Sequence, residues 1–347
     1  MLRLPFRHRR RRGLFHALLI LFVIWNAVEV VLIQRHLWHP LAHNNHQLQS
    51  PPERIFIASI HWNDEIILRS HWNQALINLV QALGPQNVFV SVYESGSYDN
   101  TKDALRALDQ SLAALDVPRN ITLSNVTHWD EMHKPPADHD WLQTKRGKKE
   151  LRRIPYLART RNIGLEPLSR LAEEGVHFDK ILFLNDIVFT VNDVFALLGT
   201  HNGQYAAACS LDFSKPPYYY DTFALRDADG KEPIMLTWPY FSASASRNAL
   251  VQLDPVPVKS CWNGMVAMPA APFLYTDKPL RFRDIPDSLA QEHLEGSECC
   301  LIHADNQIAS DAARPTRPCI LTTDGCLPGG SCADYGRTAF DDGVMLT

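Results

Sequence analysis

The carboxylate of Asp186 closes the continuously apolar run Lys180-Ile181-Leu182-Phe183-Leu184-Asn185-Asp186. Such a run is typical of a buried parallel strand, and an acid at its end sits where such a strand delivers ligand-binding groups. A divalent ion bridging a diphosphate needs a carboxylate in that kind of place. A second acid, Glu94, leaves the run Val88-Phe89-Val90-Ser91-Val92-Tyr93 and opens the turn Glu94-Ser95-Gly96-Ser97-Tyr98-Asp99-Asn100-Thr101. Glu94 could accept from a ribose or a base, Gly96 permits close backbone approach, and the helix that follows offers N–H groups to a phosphate beside Ser97 and Asp99. The plainer alternative is an ordinary loop in which Asp99 or Thr101 caps that helix. A third set, Arg159, Arg161 and Asn162, lies in a helix opening near Tyr156. A guanidinium fork there suits phosphate or base contacts, or simply a solvated helix face.

These residues need a scaffold that brings them to one edge. The run Ile55 to Ile60 reads as a first buried strand, ended by His61-Trp62-Asn63-Asp64-Glu65. Apolar residues near 3.6 spacing from Ile66 to Leu83 predict a helix stopped by Gly84-Pro85. The strand over residues 88–93, a helix over 102–115 and the strand over 180–184 follow, so the fold class expected is α/β: a mixed or parallel Rossmann-type sheet flanked by helices.

Of the 347 residues, 46% are apolar and 21% charged, which excludes a disordered or fibrous chain. The net charge of -4 includes six arginines in residues 1–12, so the remaining residues carry -10. A body that acidic offers no basic stripe to phosphates and argues against nucleic acid as a partner. After this basic tail, the apolar run over residues 13–33 is long enough to span a bilayer as an uncleaved signal anchor, with the arginines cytosolic and the rest lumenal. Residues 34–53 read as a stem. In a lumen, the sequons at Asn120 and Asn125 are usable for glycosylation. All seven cysteines lie beyond residue 208, an odd number without a C-x-x-C pair, which argues for disulfides of undetermined pairing rather than zinc.

The turn from Glu94 to Thr101 resembles the acidic-Gly-Ser-x-Asp turn of GT-A nucleotide-sugar glycosyltransferases, Arg161-Asn162 resembles their Arg-Asn helix, and Asn185-Asp186 takes the place of their Asp-x-Asp. More specifically, residues 61–72, 89–106, 152–162, 180–189, 207–213, 218–227, 255–268, 280–293 and 295–305 resemble, in order, the fungal cryptococcal α-1,3-mannosyltransferase (capsule-associated) family. The resemblance implies a GT-A-like domain over residues 54–310 and a type II Golgi membrane enzyme. Its expected reaction moves mannose from GDP-mannose to a 3-hydroxyl of a mannoside with retention, with Mn2+ or another divalent cation. It implies catalytic roles for Asp186, Glu298 and Asp212, and sugar or acceptor contacts for Asp221, Arg226, Trp262 and Asn263.

Two departures accompany this. Asp186-Ile187-Val188 lacks the second acid of an Asp-x-Asp, so a metal on Asp186 needs help, for which His303 and Asp305 are the candidates; the other reading of His303 is a packed core histidine. Residues 311–347 read as a divergent tail rich in Cys, Gly and Pro, with one short apolar stretch at Cys319-Ile320-Leu321. The alternatives to a mannosyltransferase are a non-catalytic lumenal component of polysaccharide synthesis or export, and a transferase that uses another sugar nucleotide.

Overall fold

The computed structural model describes residues 15–28, 31, 53–211, 213–215, 218–220, 222–306 and 319–321. The chain divides into two compact units, residues 1–51 and 52–347. In the first, residues 15–28 are helical and exposed. No helix among the described residues is long and apolar enough to cross a membrane. The rest of the expected anchor over 13–33, apart from residue 31, lies outside the described residues, as do the basic tail and nearly all of the stem.

The second unit is built on a nine-stranded mixed sheet. Its strands are β1 (Ile55–His61), β2 (Val88–Glu94), β3 (Arg119–Leu123), β4 (Lys180–Leu184), β5 (Ala207–Cys209), β6 (Arg226–Asp227), β7 (Val256–Ser260), β8 (Met265–Pro269) and β9 (Cys319–Leu321). The order is β6-β7-β9-β5-β8-β4-β1-β2-β3. Strands β4, β1, β2 and β3 run parallel, and β8 lies antiparallel between β4 and β5. The carboxyl ends of β1, β2 and β4 therefore share one edge, in register at Ser59↔Leu184 and His61↔Glu94.

Both faces of the sheet are covered, which is why its central strands are apolar on both faces along most of their length. Ile55 and Ile57 join a core with Leu76, Leu79, Leu105, Leu108 and Val194, supplied by α1 (Asn73–Leu83), α2 (Thr101–Ala114) and α4 (Val191–Gly199). Phe56 and Ala58 point the other way, into a core with Leu165 and Leu168 of α3 (Arg153–Glu173) and Ile302 of α5 (Glu298–Ala304). The helix expected from Ile66 is entered through a π turn, Leu68–Trp72, before α1 begins. That turn carries Trp72 to the sheet edge, where its indole N–H donates to the Asn185 carbonyl at 2.9 Å.

Cys319–Leu321 inserts between β5 and β7, so the expected tail contributes a strand inside the sheet.

Candidate active site

The loop after β1 and the turn after β2 are bonded to each other along their length. Asn63 N–H donates to Ser97 Oγ (2.9 Å), Tyr98 N–H to Asn63 Oδ1 (2.8 Å), Asp64 N–H to Thr101 Oγ1 (2.7 Å) and Glu65 N–H to Asp99 Oδ2 (3.1 Å). The other Asp99 oxygen accepts from Thr101 N–H at 3.0 Å, a local helix-entry contact of the kind the plainer sequence reading described. Glu94 is fully buried, with Oε1 accepting from Ser97 N–H and Lys102 Nζ 3.8 Å from Oε2. Gly96 adopts φ +83°, and a Cβ there would collide with the Val126 carbonyl oxygen. The close approach expected of a ligand at Gly96 is thus made by the chain's own backbone.

A buried chain of polar groups underlies this loop. Ser59 Oγ donates to the Leu184 carbonyl (2.7 Å) and meets His61 Nε2 at 2.8 Å, while His61 Nδ1 faces Asp64 Oδ2 at 2.8 Å. Hydroxyl, imidazole and carboxylate follow in the order of a hydrolytic triad. With the Ser59 hydroxyl donating to the Leu184 carbonyl, the set ties β1 to β4. Outside it, His128 stacks on Trp62 at 4.2 Å and lies edge-on to Tyr156 at 5.0 Å. Burial drives the His128 pKa down from 6.5 to about 4, with Glu131 opposing and Arg153 adding to the shift. None of these contacts is legible from the sequence except as the polar cluster after Ile60.

A different arrangement stands at the end of β4. A cleft is lined by Ser59, Ile60, Leu184 and Asn185 from the strand ends and by Arg161 and Gly164 from α3. Arg161 is its one cationic lining residue among those described. The Arg161 side chain, 12% exposed, places Nε 3.0 Å from Oε1 of Glu298, 3% exposed. Its guanidinium lies over Trp262 at 4.6 Å and near Phe282 at 5.7 Å. Trp262 is delivered by a strap, residues 261–264, that joins β7 to β8 and is stapled to the end of β5 by the Cys209–Cys261 disulfide. Gly264 in the strap, at φ +65°, leaves room for Ile187 just past Asp186.

The structure therefore brings together Arg161, Glu298 and Trp262, with Asn185 and hence Asp186 at the same strand end. It places other expected residues elsewhere. Asn162 donates to the Phe282 carbonyl (2.8 Å) and accepts from Phe282 N–H (3.0 Å), holding the 282 segment against α3. Arg159 pairs with Glu131 at 3.2 Å and borders a separate groove with Asp140, Glu166 and Asp284. Arg226 is spent on the Phe223 and Leu225 carbonyls and on Glu232. Asn263 is buried, and its carbonyl accepts from Ser210 Oγ and Met265 N–H. Asp212 and Asp221 lie outside the described residues. Asn125 is exposed, whereas Asn120 is half-buried in the edge strand β3.

The metal set expected from Asp186, His303 and Asp305 does not assemble. His303 is buried against the disulfide and donates Nε2–H to the Cys261 carbonyl at 2.6 Å, and burial lowers its pKa to about 4 despite that bond. Asp305 is held by Arg283 through two bonds, 2.5 and 2.9 Å. Two trios with metal-ligand spacing occur among the described residues. Cys209, Cys261 and His303 include the two disulfide sulfurs, and Asp140, Asp284 and Asp287 surround Arg152. Buried Arg152 binds Asp284 at 2.8 Å, Asp287 at 2.6 Å and Glu295 at 3.0 Å, which explains that acidic group without an ion. Among the described residues, Asp186, His303 and Asp305 do not form a set with metal-ligand spacing.

Comparison with known proteins bears on the same part of the chain. A family described as "Cryptococcal mannosyltransferase 1" matches residues 54–305. The alpha-1,3-mannosyltransferase CMT1 of Cryptococcus neoformans var. neoformans is 29% identical over 246 residues, 66% of this chain and 49% of that protein. The chain thus spans about half the length of the curated relative it matches. Among solved structures, S. aureus TarS is similar over 78% of this chain and 35% of its own at 12% identity and TM-score 0.40. The mannosyltransferase PcManGT of Pyrobaculum calidifontis, in complex with GDP-Man and Mn2+, is similar over 48% of this chain and 40% of its own at 13% identity and TM-score 0.28. Since the matched residues 54–305 make up more than half of the 347-residue chain, it belongs to the cryptococcal mannosyltransferase 1 family.

Proposed function

We propose that the chain is a glycosyltransferase that moves mannose from GDP-mannose to a 3-hydroxyl of a mannoside, with the donor diphosphate at the cleft between the ends of β1 and β4. The observation that carries this reading is membership of the family over residues 54–305, which hold that cleft and the helix α3 behind it. As the bond from sugar to phosphate breaks, negative charge grows on the leaving diphosphate, and a fixed guanidinium in a partly dry cleft stabilises it without reorganising. Arg161 is the group for that task. GDP-mannose is an α-linked donor, so an α-1,3 product means retention. No step is assigned to a metal ion, because His303 and Asp305 are otherwise engaged.

The reading includes work in a lumen behind a Golgi anchor at residues 13–33. The Cys209–Cys261 disulfide supports an oxidising compartment, and the exposed sequon at Asn125 is open to modification. Protease added to sealed microsomes would then leave residues 34–347 intact, and digestion of the body would overturn this orientation.

The deciding experiment incubates the purified full chain with a panel of nucleotide sugars and mannobiose, with and without a manganese salt, followed by mass and linkage analysis. A 3-linked mannose added from GDP-mannose is the expected product. Transfer from another donor, or none from any, removes this assignment in favour of a different transferase or a non-catalytic component. Asp186→Asn is expected to keep the fold and lower turnover at least about a hundredfold, roughly 2.7 kcal/mol of transition-state stabilisation; near-normal turnover would remove Asp186 from the site.

A further inference from the structure

We propose that the groove between α3 and residues 282–284 is a saccharide subsite, which holds the mannoside substrate by sugar residues beyond the one that reacts. The inference rests on the reading of the chain as a mannosyltransferase and gives the receiving glycan a place on it.

Three observations carry it. The first is room: at about 350 Å³ the groove stands at the small end of the roughly 300–1,000 Å³ that ligand sites occupy, which suits a short saccharide better than a whole nucleotide sugar. The second is that its walls are set without a ligand. Asn162 bonds both backbone groups of Phe282, Arg283 is held by two bonds to Asp305, and Asp284 is held by buried Arg152 at 2.8 Å. Walls already fixed spare a ligand the cost of ordering them.

The third is the chemistry of the lining. Asp140, Glu166 and Asp284 set three carboxylates against the two guanidiniums of Arg159 and Arg283. That balance repels a diphosphate, and arginines standing among the acids leave little for a cation to gain. A neutral polyol meets both signs: its hydroxyls donate to the carboxylates and accept from the guanidiniums. Its C–H face can lie on the apolar side of the groove, at Ala158 and Ile163. Burial holds the Asp140 carboxyl above its ordinary range, with Asp284 and Asp287 adding to the shift. A hydroxyl donated to that carboxylate relieves it without bringing a charge.

The groove also has a suitable place in the fold. On α3, Arg161 and Gly164 line the cleft at the strand ends, while Asn162, Ile163 and Glu166 line the groove. A helix is about 10 Å across, so a short chain of sugars anchored in the groove can present its end at the sheet edge.

The test uses the full chain and α-1,3-linked mannotriose as the probe. Calorimetric binding is measured with and without saturating GDP, beside transfer kinetics from GDP-mannose. Glu166→Ala, which removes an exposed carboxylate from the border, should weaken mannotriose binding about threefold. Ile163→Trp, which fills the groove, should weaken it at least about tenfold. GDP affinity should change in neither variant, whereas a general structural defect would lower both affinities. Since Glu166 is exposed, its variant keeps the comparison if Ile163→Trp does not fold. Mannotriose that binds neither with nor without GDP, an affinity unaltered in both variants, or equal losses for mannotriose and GDP would each overturn the proposal, as would displacement of mannotriose by pyrophosphate. Binding with the expected losses but no sugar transfer would leave the subsite standing and remove the transferase reading. Mannose transfer with mannotriose affinity unaltered in both variants would do the reverse.

Discussion

At the ends of β1 and β2, the polar side chains of residues 61–65 and 94–101 bond to one another's backbone, so the two loops form one stapled unit. At the end of β4, Arg161 and Glu298 bond side chain to side chain over Trp262 beside an open cleft. Both regions are rich in the residue types that bind sugar nucleotides. In the first, those groups satisfy a tight turn. In the second, a charge is taken out of water and paired beside a cleft at the strand ends. The difference shows that residue type marks a candidate and the identity of the hydrogen-bond partner decides it.

The largest test of that difference is Arg161→Ala. It strands the Glu298 carboxylate in the interior, and we expect a stability loss of about 3–5 kcal/mol by urea unfolding together with loss of nucleotide binding. A cost under about 1 kcal/mol would mean that the pair is solvated and the two regions are alike. Gly96→Ala strikes the stapled side. With φ at +83° and the Val126 carbonyl in the way, it should cost about 3 kcal/mol by thermal or urea unfolding, and a neutral outcome would mean that the turn has slack.

Acid should weaken both regions, since each holds a histidine whose pKa burial lowers from 6.5 to about 4: His128 in the first and His303 in the second. In that window the unfolded chain binds the proton and the folded one does not, so stability is full above pH 6.5 and falls as the pH drops toward 4. For fully buried His303 the loss is up to about 3 kcal/mol. His303→Gln, which keeps a donor for the Cys261 carbonyl, should flatten the urea-unfolding midpoint against pH over this range. An unaltered pH profile would show that His303 is not the source. Asp99→Ala should have the smallest effect, about 1 kcal/mol of stability with GDP affinity unchanged. A fall in affinity without a fall in stability would return the Glu94 to Thr101 turn to the binding site.

Much of the scaffold could be read along the chain because buried parallel strands announce themselves as short apolar runs, as at Ile55, Val88 and Lys180. Cys319–Leu321 could not, since three apolar residues in a Gly- and Pro-rich stretch gain strand character only from the partners β5 and β7. The site divides in the same way. Asp99 accepts from Thr101 N–H at the helix entry, a contact two residues apart, although the N-cap position itself is Asn100 without a side-chain cap bond. The pairing of Arg161 with Glu298 spans 137 residues, and no spacing rule connects such positions. His303 had the right chemistry for a cation, but its place under the strap depends on a disulfide whose pairing the cysteine spacings do not determine.

That disulfide closes a ring between positions 52 residues apart, from the end of β5 to the strap that holds Trp262. Closing a loop of this length in the unfolded chain removes entropy worth about 4 kcal/mol. Because the entropy of a closed loop varies only with the logarithm of its length, doubling the intervening stretch would change that figure by about 0.6 kcal/mol. The ring thus separates two kinds of evolutionary freedom. The aromatic segment between the cysteines can lengthen, shorten or change its surface, while the indole beneath Arg161 stays anchored at a cysteine whose position that segment does not set.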